Sequence, residues 1–153
     1  MKSDAALSRF EGFLRRKGLR VTDQRREILN AAWATHDHFS AEELYGWLRG
    51  AGSKASRATV YRTLTLLVEG GFLSALDGGK GQMLYEHILG HSHHDHMICL
   101  KCGKIIEFRN EEIEGLQHAM AAKHRFRLIQ HTLTLEGYCS ACHEALTRAG
   151  PGS

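Results

Sequence analysis

Two CxxC pairs constrain this chain more than any other feature of its sequence. Cys99 and Cys102 form the first pair, and Cys139 and Cys142 form the second. Each pair can present two thiolates to one ion, and two pairs complete the tetrahedral sulfur shell that zinc prefers. A redox-active dithiol is the alternative, although two pairs match one ion better than two independent switches. The spacing predicts a small α/β unit pinned by zinc at both ends.

Histidines are concentrated beside the first cysteine pair, and nine of the eleven lie after residue 80. If residues 93–99 form a strand, successive side chains point to opposite faces. His94 and His96 then point to one face. His93 and Asp95 point to the other, so one strand can supply ligands to two separate metal sites. For any single histidine, adventitious metal binding or a place in a solvated loop is the alternative.

Length and charge limit the class of protein. A chain of 153 residues with 42% apolar content is long enough for one ordinary domain or two small ones, and it is not a disordered tail. The first 80 residues carry 13 Lys/Arg and 9 Asp/Glu, whereas the rest carry 7 and 8. The N-terminal part is therefore the candidate for contact with a polyanion. Residues 1–7 lack a signal-peptide core and no later apolar run could span a bilayer, so we expect a cytoplasmic protein whose thiols stay reduced.

Start and stop signals predict helices in the N-terminal part. The first covers residues 5–17 and ends at Gly18. Thr22 caps the second helix. Ser40 forms a capping box with Glu43 at the start of the third.

A fourth predicted helix carries candidate nucleic-acid contacts. Ser56 starts it, and the glycines at 70–71 end it. Arg57 and Tyr61 share a face away from the apolar stripe, and the neighbouring Arg62 has a fork that can reach guanine. A solvated surface explains one basic helix face equally well.

The remaining pattern predicts short strands. Residues 72–76 and 82–87 flank a glycine-rich turn and predict a hairpin, so that the helices and hairpin together outline a winged helix. Strands over 104–108 and 127–135, with a helix over 111–124, are predicted in the C-terminal part. The predicted fold class is α+β. The terminal GPGS segment is left out of the fold prediction.

Four segments together resemble the ferric uptake regulator family of bacterial metal-dependent repressors. They are KGLRVTDQRREIL (17–29), HFSAEELY (38–45), SRATVYRTLTLL (56–67) and HHDHMICLKCGKIIEF (93–108). The resemblance extends from residue 14 to residue 142 and implies a homodimer. It implies a winged-helix DNA-binding domain over residues 1–87, a hinge over 88–92, and a metal-binding α/β dimerisation domain over 93–146.

The resemblance also implies three metal sites. Structural zinc would bind Cys99, Cys102, Cys139 and Cys142. A regulatory site joining the two domains would use His38, Glu86, His94, His96 and Glu107. A second site in the dimerisation domain would use His93, Asp95, Glu114 and His131. His87 or His91 is an alternative to Glu86, because the loop over 86–93 is longer than is usual in the family. The remaining histidines are assigned to the surface or to packing: His36, His118, His124 and His143.

The implied function is metal-dependent repression at A/T-rich palindromic operators. Tyr61 and Arg62 would meet bases in the major groove, and Arg20 would enter the minor groove. Arg57 and Thr59 complete the implied DNA contacts. The family majority favours Fe2+ as the regulatory ion, with Mn2+ or Zn2+ as alternatives. A peroxide sensor is also open, although such members characteristically carry aspartate where Glu107 stands.

Two rivals come from other classes. A zinc hydrolase or deaminase would use the histidine cluster with a water-bound ion, but catalytic zinc needs an open coordination position. Four thiolates close one site and leave no nucleophile assigned, so we expect no enzyme. A metal-storage protein would have no need of the Tyr61 and Arg62 face.

Overall fold

The computed structural model describes residues 3–150, so residues 1–2 and most of the GPGS segment lie outside the described residues. The chain divides into two compact units, one ending at Ser92 and the other beginning at His93. Within the described range, every helix is too short or too polar to span a bilayer. The elements in chain order are α1 (Ser3–Arg16), α2 (Asp23–Trp33), β1 (Phe39–Ser40), α3 (Ala41–Gly50), α4 (Arg57–Glu69), β2 (Leu73–Asp77), β3 (Met83–His87), β4 (Asp95–Cys99), β5 (Ile105–Phe108), α5 (Glu111–Lys123), β6 (Thr134–Gly137) and α6 (Ser140–Ala149).

The first unit is a helical group with a small sheet, in which three helices begin at the predicted caps. The Thr22 side chain accepts a hydrogen bond from a backbone N–H at the start of α2. Ser40 and Glu43 form both hydrogen bonds of a capping box at the start of α3. Ser56 caps α4 through the backbone N–H of Thr59. Each cap satisfies a donor that the helix itself leaves unpaired, which confirms these three predictions.

The hydrophobic core of the first unit fixes α4 in place. Val60, Leu64 and Leu67 point from α4 into a cluster of buried side chains contributed by α1 to α4. Burying each such side chain contributes about 1.5–3 kcal/mol. The opposite face of α4, which includes Tyr61 and Arg62, is exposed. The core therefore holds a rigid helix with a polar outer face.

The predicted hairpin is confirmed. Strands β2 and β3 pair antiparallel from Leu73↔His87 to Asp77↔Met83. The two-residue strand β1, which the sequence did not reveal, pairs with the other edge of β3, giving the strand order β1-β3-β2. Helices followed by this three-stranded sheet complete the winged-helix arrangement.

The second unit contains a three-stranded sheet of order β5-β4-β6. Strand β4 pairs antiparallel with β5, placing His96 opposite Glu107. It pairs parallel with β6, placing His96 opposite Thr134. Helix α5 lies between β5 and β6 in the chain, and α6 follows β6.

The predicted strand over 127–135 is wrong for most of its length, because β6 covers only Thr134–Gly137. The parallel register begins at His96↔Thr134, and β4 itself begins at Asp95. Residues before 134 therefore run past the start of β4, and the described part of the chain has no strand there to pair with them. The apolar residues of this segment are typical of a strand, but the described residues offer no neighbouring strand for the segment to pair with.

The two units differ in how much apolar surface they bury. The large core cluster belongs to the first unit. Among the described residues 93–150, the buried hydrophobic side chains are Ile98 and Cys99. Asp95, His96 and Glu114 are also buried there. A unit with so small an apolar core needs other sources of stability, and bound metal is one.

Candidate metal centres and DNA-binding face

The four cysteines converge at one end of the second unit. Cys99 ends β4, and Gly103 follows the first pair with a φ of 77°, the left-handed conformation that closes a tight turn. Cys139 precedes α6, and Cys142 lies in its first turn. All four are free thiols, and their sulfur atoms lie within 4.8 Å of one another.

The geometry and charge of this cysteine cluster suit zinc. Cys102 Sγ lies 3.8 Å from Cys139 Sγ, and a tetrahedron with metal–sulfur distances of about 2.3 Å has sulfurs roughly 3.8 Å apart. Backbone N–H groups of Cys102 and Cys139 lower the pKa of Cys99 to about 5. Hydrogen bonding to Cys139 and burial raise the pKa of Cys142 to about 12. The thiol of Cys99 thus loses its proton readily, whereas that of Cys142 resists a second negative charge, and a divalent cation would remove that resistance.

A second cluster brings together His93, Asp95, Glu114 and His131. His93 Nε2 lies 3.1 Å from Asp95 Oδ1 and 3.4 Å from Glu114 Oε1. His131 Nε2 lies 2.9 Å from Glu114 Oε2, and the rings of His93 and His131 have centroids 4.3 Å apart. All four residues belong to the second unit. The structure therefore brings ligand atoms of His93, Glu114 and His131 within 4.8 Å of one another, and Asp95 joins this group through its contact with His93.

Several ligand atoms of this cluster are buried without a hydrogen-bond partner. They are Asp95 Oδ2, Glu114 Oε1 and His131 Nε2, the last of which forms an ion-pair contact of 2.9 Å with Glu114 Oε2. Burial alone would raise the pKa of Glu114, but His131 and His93 outweigh burial and hold that pKa below its ordinary value. Buried lone pairs with a charged carboxylate are costly unless a cation satisfies them, so the residues present fit a metal ion.

The predicted regulatory ligands are divided between the two units. In the first unit, His38 Nε2 lies 3.2 Å from Glu86 Oε2. Glu86 comes from β3, and Ser74 on the neighbouring β2 donates a hydrogen bond of 3.3 Å to its other oxygen. This hydrogen bond orients the carboxylate, as outer partners of metal ligands do.

The remaining regulatory ligands lie in the second unit. The rings of His94 and His96 have centroids 5.0 Å apart. His94 Nε2 lies 3.7 Å from Glu107 Oε1, and His96 faces Glu107 across the β4–β5 pair. His93 and Asp95 belong instead to the cluster with Glu114 and His131. Neighbouring residues near the start of β4 therefore contribute to two different sets of candidate metal ligands.

The predicted DNA-contacting residues lie on the first unit, at exposed or half-exposed positions. Arg57 Nε lies 3.2 Å from Glu42 Oε2. Tyr61 donates a hydrogen bond of 3.5 Å to the other oxygen of Glu42, and its side chain is 47% exposed. Thr59 belongs to the cap of α4, where its hydroxyl lies 3.0 Å from that of Ser56. Arg20, in contrast, lies outside α4, in the segment between α1 and α2, where its carbonyl accepts a hydrogen bond from Arg25.

Sequence reasoning missed two features of the first unit. Glu42 on α3 links to both Arg57 and Tyr61, and no sequence signal pairs those positions. His36, assigned from sequence to the surface or to packing, lies in a cluster with His87 and His91. His36 lies far from His87 and His91 in the chain, so only the fold brings it to them.

Comparison with known proteins identifies the family. The sequence pattern of the ferric uptake regulator family matches residues 16–136. This chain belongs to the ferric uptake regulator family. A ferric uptake regulation protein of Campylobacter upsaliensis is 40% identical over 145 residues, which cover 94% of this chain and 92% of the relative. The resemblance stated from the four sequence segments is confirmed.

Solved structures of metal uptake regulators share the fold. The Helicobacter pylori ferric uptake regulator, described as having three functional metal binding sites, has a TM-score of 0.79 at 34% identity, covering 94% of this chain and 95% of that chain. A zinc uptake regulator complexed with zinc and DNA has a TM-score of 0.58 at 30% identity, covering 96% of this chain and 99% of that chain. The predicted α+β class is confirmed.

Proposed function

We propose that this chain is a metal-dependent transcriptional repressor that binds operator DNA as a homodimer when a divalent cation occupies its regulatory ligands. The observation that carries the proposal is the combination, in one chain, of a winged-helix unit with an exposed polar α4 face and a unit in which buried carboxylate oxygens of Asp95 and Glu114 lack hydrogen-bond partners. Neither a metal store nor an isolated DNA-binding module needs both.

The α4 face is suited to the operator. The ion pair between Arg57 and Glu42 is exposed, and such pairs contribute only about 0–1 kcal/mol. Arg57 can therefore exchange Glu42 for a phosphate at little cost. That exchange also leaves Tyr61 available to bases, beside Arg62. Arg20 and Thr59 complete the proposed contacts.

We propose that the regulatory ion binds ligands from both units. His38 and Glu86 supply one group, and the second unit supplies His94, His96 and Glu107. An ion held by both groups restricts the segment over 88–92 and selects the spacing of two α4 helices that fits two half-sites. The ion shifts this equilibrium only through its preference for one arrangement, and operator DNA must then tighten metal binding by the same factor.

Fe2+ is the proposed regulatory ion. The curated relatives are named for ferric uptake regulation, and a mixed set of imidazoles and carboxylates suits Fe2+, Mn2+ and Zn2+ alike. Mn2+ or Zn2+ sensing is therefore the alternative to be tested. Zn2+ is the proposed occupant of the cysteine cluster, where it supplies folding free energy. The cluster of His93, Asp95, Glu114 and His131 is proposed as a further site for a divalent cation.

Exposed apolar side chains of the second unit support the homodimer. Ile106, Met97 and Leu135 face one another across β5, β4 and β6, and all three are exposed. On and after α5, Leu116 is 71% exposed and Ile129 is 79% exposed. Large apolar patches on a small unit mark association surfaces, and a second copy would cover both.

We propose that this chain is not an enzyme. A repressor acts where the chromosome lies, so we also propose that it works in the cytoplasm. A hydrolase or deaminase would need an open metal position with an assigned general base, and the four-thiolate set closes its own site. A metal store would gain nothing from the winged-helix unit.

The test compares His96→Ala with His124→Ala, which changes an exposed histidine outside the proposed sites. Operator affinity is measured by gel shift on an A/T-rich palindrome under anaerobic Fe2+, Mn2+ or Zn2+, and with chelator. We expect wild type and His124→Ala to bind DNA only with metal, and His96→Ala to stay a folded dimer that no longer responds. Unchanged metal dependence in His96→Ala would contradict the site assignment. In the wild type, equal metal affinities with and without operator would contradict the coupling between units.

A further inference from the structure

Three histidines converge within the first unit, apart from the ligand sets described above. His36 follows α2, His87 ends β3, and His91 lies in the turn after β3. The ring centroid of His87 lies 5.1 Å from that of His36 and 4.7 Å from that of His91. One nitrogen from each ring lies within 4.8 Å of the others.

His87 already has the orientation and tautomer of a metal ligand. Its Nε2 lies 2.7 Å from the backbone carbonyl oxygen of Thr35. A carbonyl oxygen only accepts, so Nε2 carries the proton and Nδ1 keeps its lone pair. Metal-binding histidines characteristically donate their other N–H to a carbonyl or carboxylate in this way.

The lone pair of His87 is buried without a partner. His87 is 7% exposed, and its Nδ1 has no hydrogen-bond partner among the described residues. Packing against Trp33, whose ring centroid lies 4.9 Å away, accounts for the position of the ring but leaves this acceptor unsatisfied.

We propose that His36, His87 and His91 bind a divalent cation. Three neutral imidazoles suit Zn2+, Co2+ and Ni2+, and a water would complete a four-coordinate shell. His36 and His91 are exposed, so their side chains can close on an ion that the buried His87 positions. The site needs no residue of the second unit and does not depend on the regulatory assignment. His87 and His91 then serve this site and do not replace Glu86.

A bound ion would change the behaviour of the chain after β3. Within the first unit, it would tie His91 to the end of α2 and to β3. The backbone N–H of His91 already bonds to the carbonyl of Ile88 at 3.0 Å, and Gly90 between them has a φ of 87°. The ion would therefore hold a turn that the backbone already forms, which lowers the ordering cost of binding.

The test uses the full-length protein with Trp47→Phe, which leaves Trp33 as the reporter indole. Ni2+ binding is followed by equilibrium dialysis with metal analysis and by quenching of Trp33 fluorescence. The double variant His36→Ala/His91→Ala changes two exposed side chains and keeps His87. The matched control, His118→Ala/His124→Ala, removes two exposed histidines from α5 and its C-terminal end.

We expect the His36→Ala/His91→Ala protein to bind one Ni2+ fewer per chain and to lose a component of Trp33 quenching, while the control keeps both. Ions at the other clusters should quench Trp33 fluorescence equally in the Trp47→Phe parent, the variant and the control. A difference in quenching therefore reports this site. Equal stoichiometry and equal quenching in the variant and the control would overturn the proposal. The single variant His91→Ala, with far-ultraviolet circular dichroism matching the parent, must show the same loss; retention of the ion there would also overturn it.

Discussion

Single side chains at the proposed metal centres differ in what they contribute. Zinc bound by the four cysteine thiols is the proposed substitute for an apolar core, since the second unit buries few hydrophobic side chains among its described residues. Asp95 and Glu114 are buried carboxylates that are stable only with nearby positive charge. His94 and Glu107, in contrast, are partly or largely exposed and are suited to binding that is reversible.

Replacing Cys102 tests the first of these roles. We expect Cys102→Ser to lose its zinc and to unfold the second unit, because the loss of one thiolate removes metal-binding free energy that serves as folding free energy. Zinc content by metal analysis and dimer content by sedimentation measure the effect. Ser140→Ala, which changes an exposed residue beside Cys139, should keep both. A Cys102→Ser protein that remains a zinc-free, folded dimer would refute the structural role.

Side-chain clusters encoded by local spacing could be predicted at this scale, and clusters assembled by the fold could not. The CxxC spacing and the alternation along residues 93–96 are properties of a few consecutive positions. His36 lies far from His87 in the chain, and their contact depends on how α2 packs against the sheet. The same holds for Glu42 with Tyr61.

Helix α4 presents all the proposed DNA contacts except Arg20 from its first two turns, so its N-terminus matters most. Ser56 Oγ accepts the backbone N–H of Thr59 at 3.1 Å. Fraying here would move Arg57 and Thr59 together. The cap therefore links helix stability to the geometry of the DNA-binding face.

We expect Ser56→Ala to lower the free energy of unfolding by about 1 kcal/mol, the usual contribution of an N-cap side chain. Urea denaturation of the zinc-loaded protein measures the change. The control is Ser8→Ala, at an exposed position inside α1, where alanine should cost nothing. A Ser56→Ala protein as stable as the control would show that α4 is held by its buried face alone.

Elements with local signals were predicted more accurately than elements that depend on a partner. The starts of α2, α3 and α4 follow from one capping residue each. The segment over 127–133 has an apolar pattern but extends past the start of β4, and β1 is only two residues long. Pairing, which decides both cases, is not written in the local sequence.

The two units of the whole molecule are stabilised differently. The first has a large apolar core, whereas the second combines ligand clusters with exposed apolar surface. The homodimer proposal predicts that this surface is covered by a second copy. Solution assembly should therefore depend on side chains of the second unit.

We expect Leu116→Glu to convert the zinc-loaded dimer to monomer, because a dimer would have to bury an unpaired carboxylate. Sedimentation velocity at several protein concentrations measures the effect. Leu146→Glu, on the exposed side of α6, is the matched control and should remain dimeric. Monomeric wild type, or a dimeric Leu116→Glu protein, would contradict the proposed surface.

The small apolar core of the second unit has a consequence for a cell short of zinc. Without zinc the second unit would unfold first, while the winged-helix unit stayed folded. A monomeric DNA-binding unit contacts one half-site of a palindrome and loses the increase in affinity that comes from binding both half-sites. A shortage of zinc would thereby abolish the response of this regulator to iron.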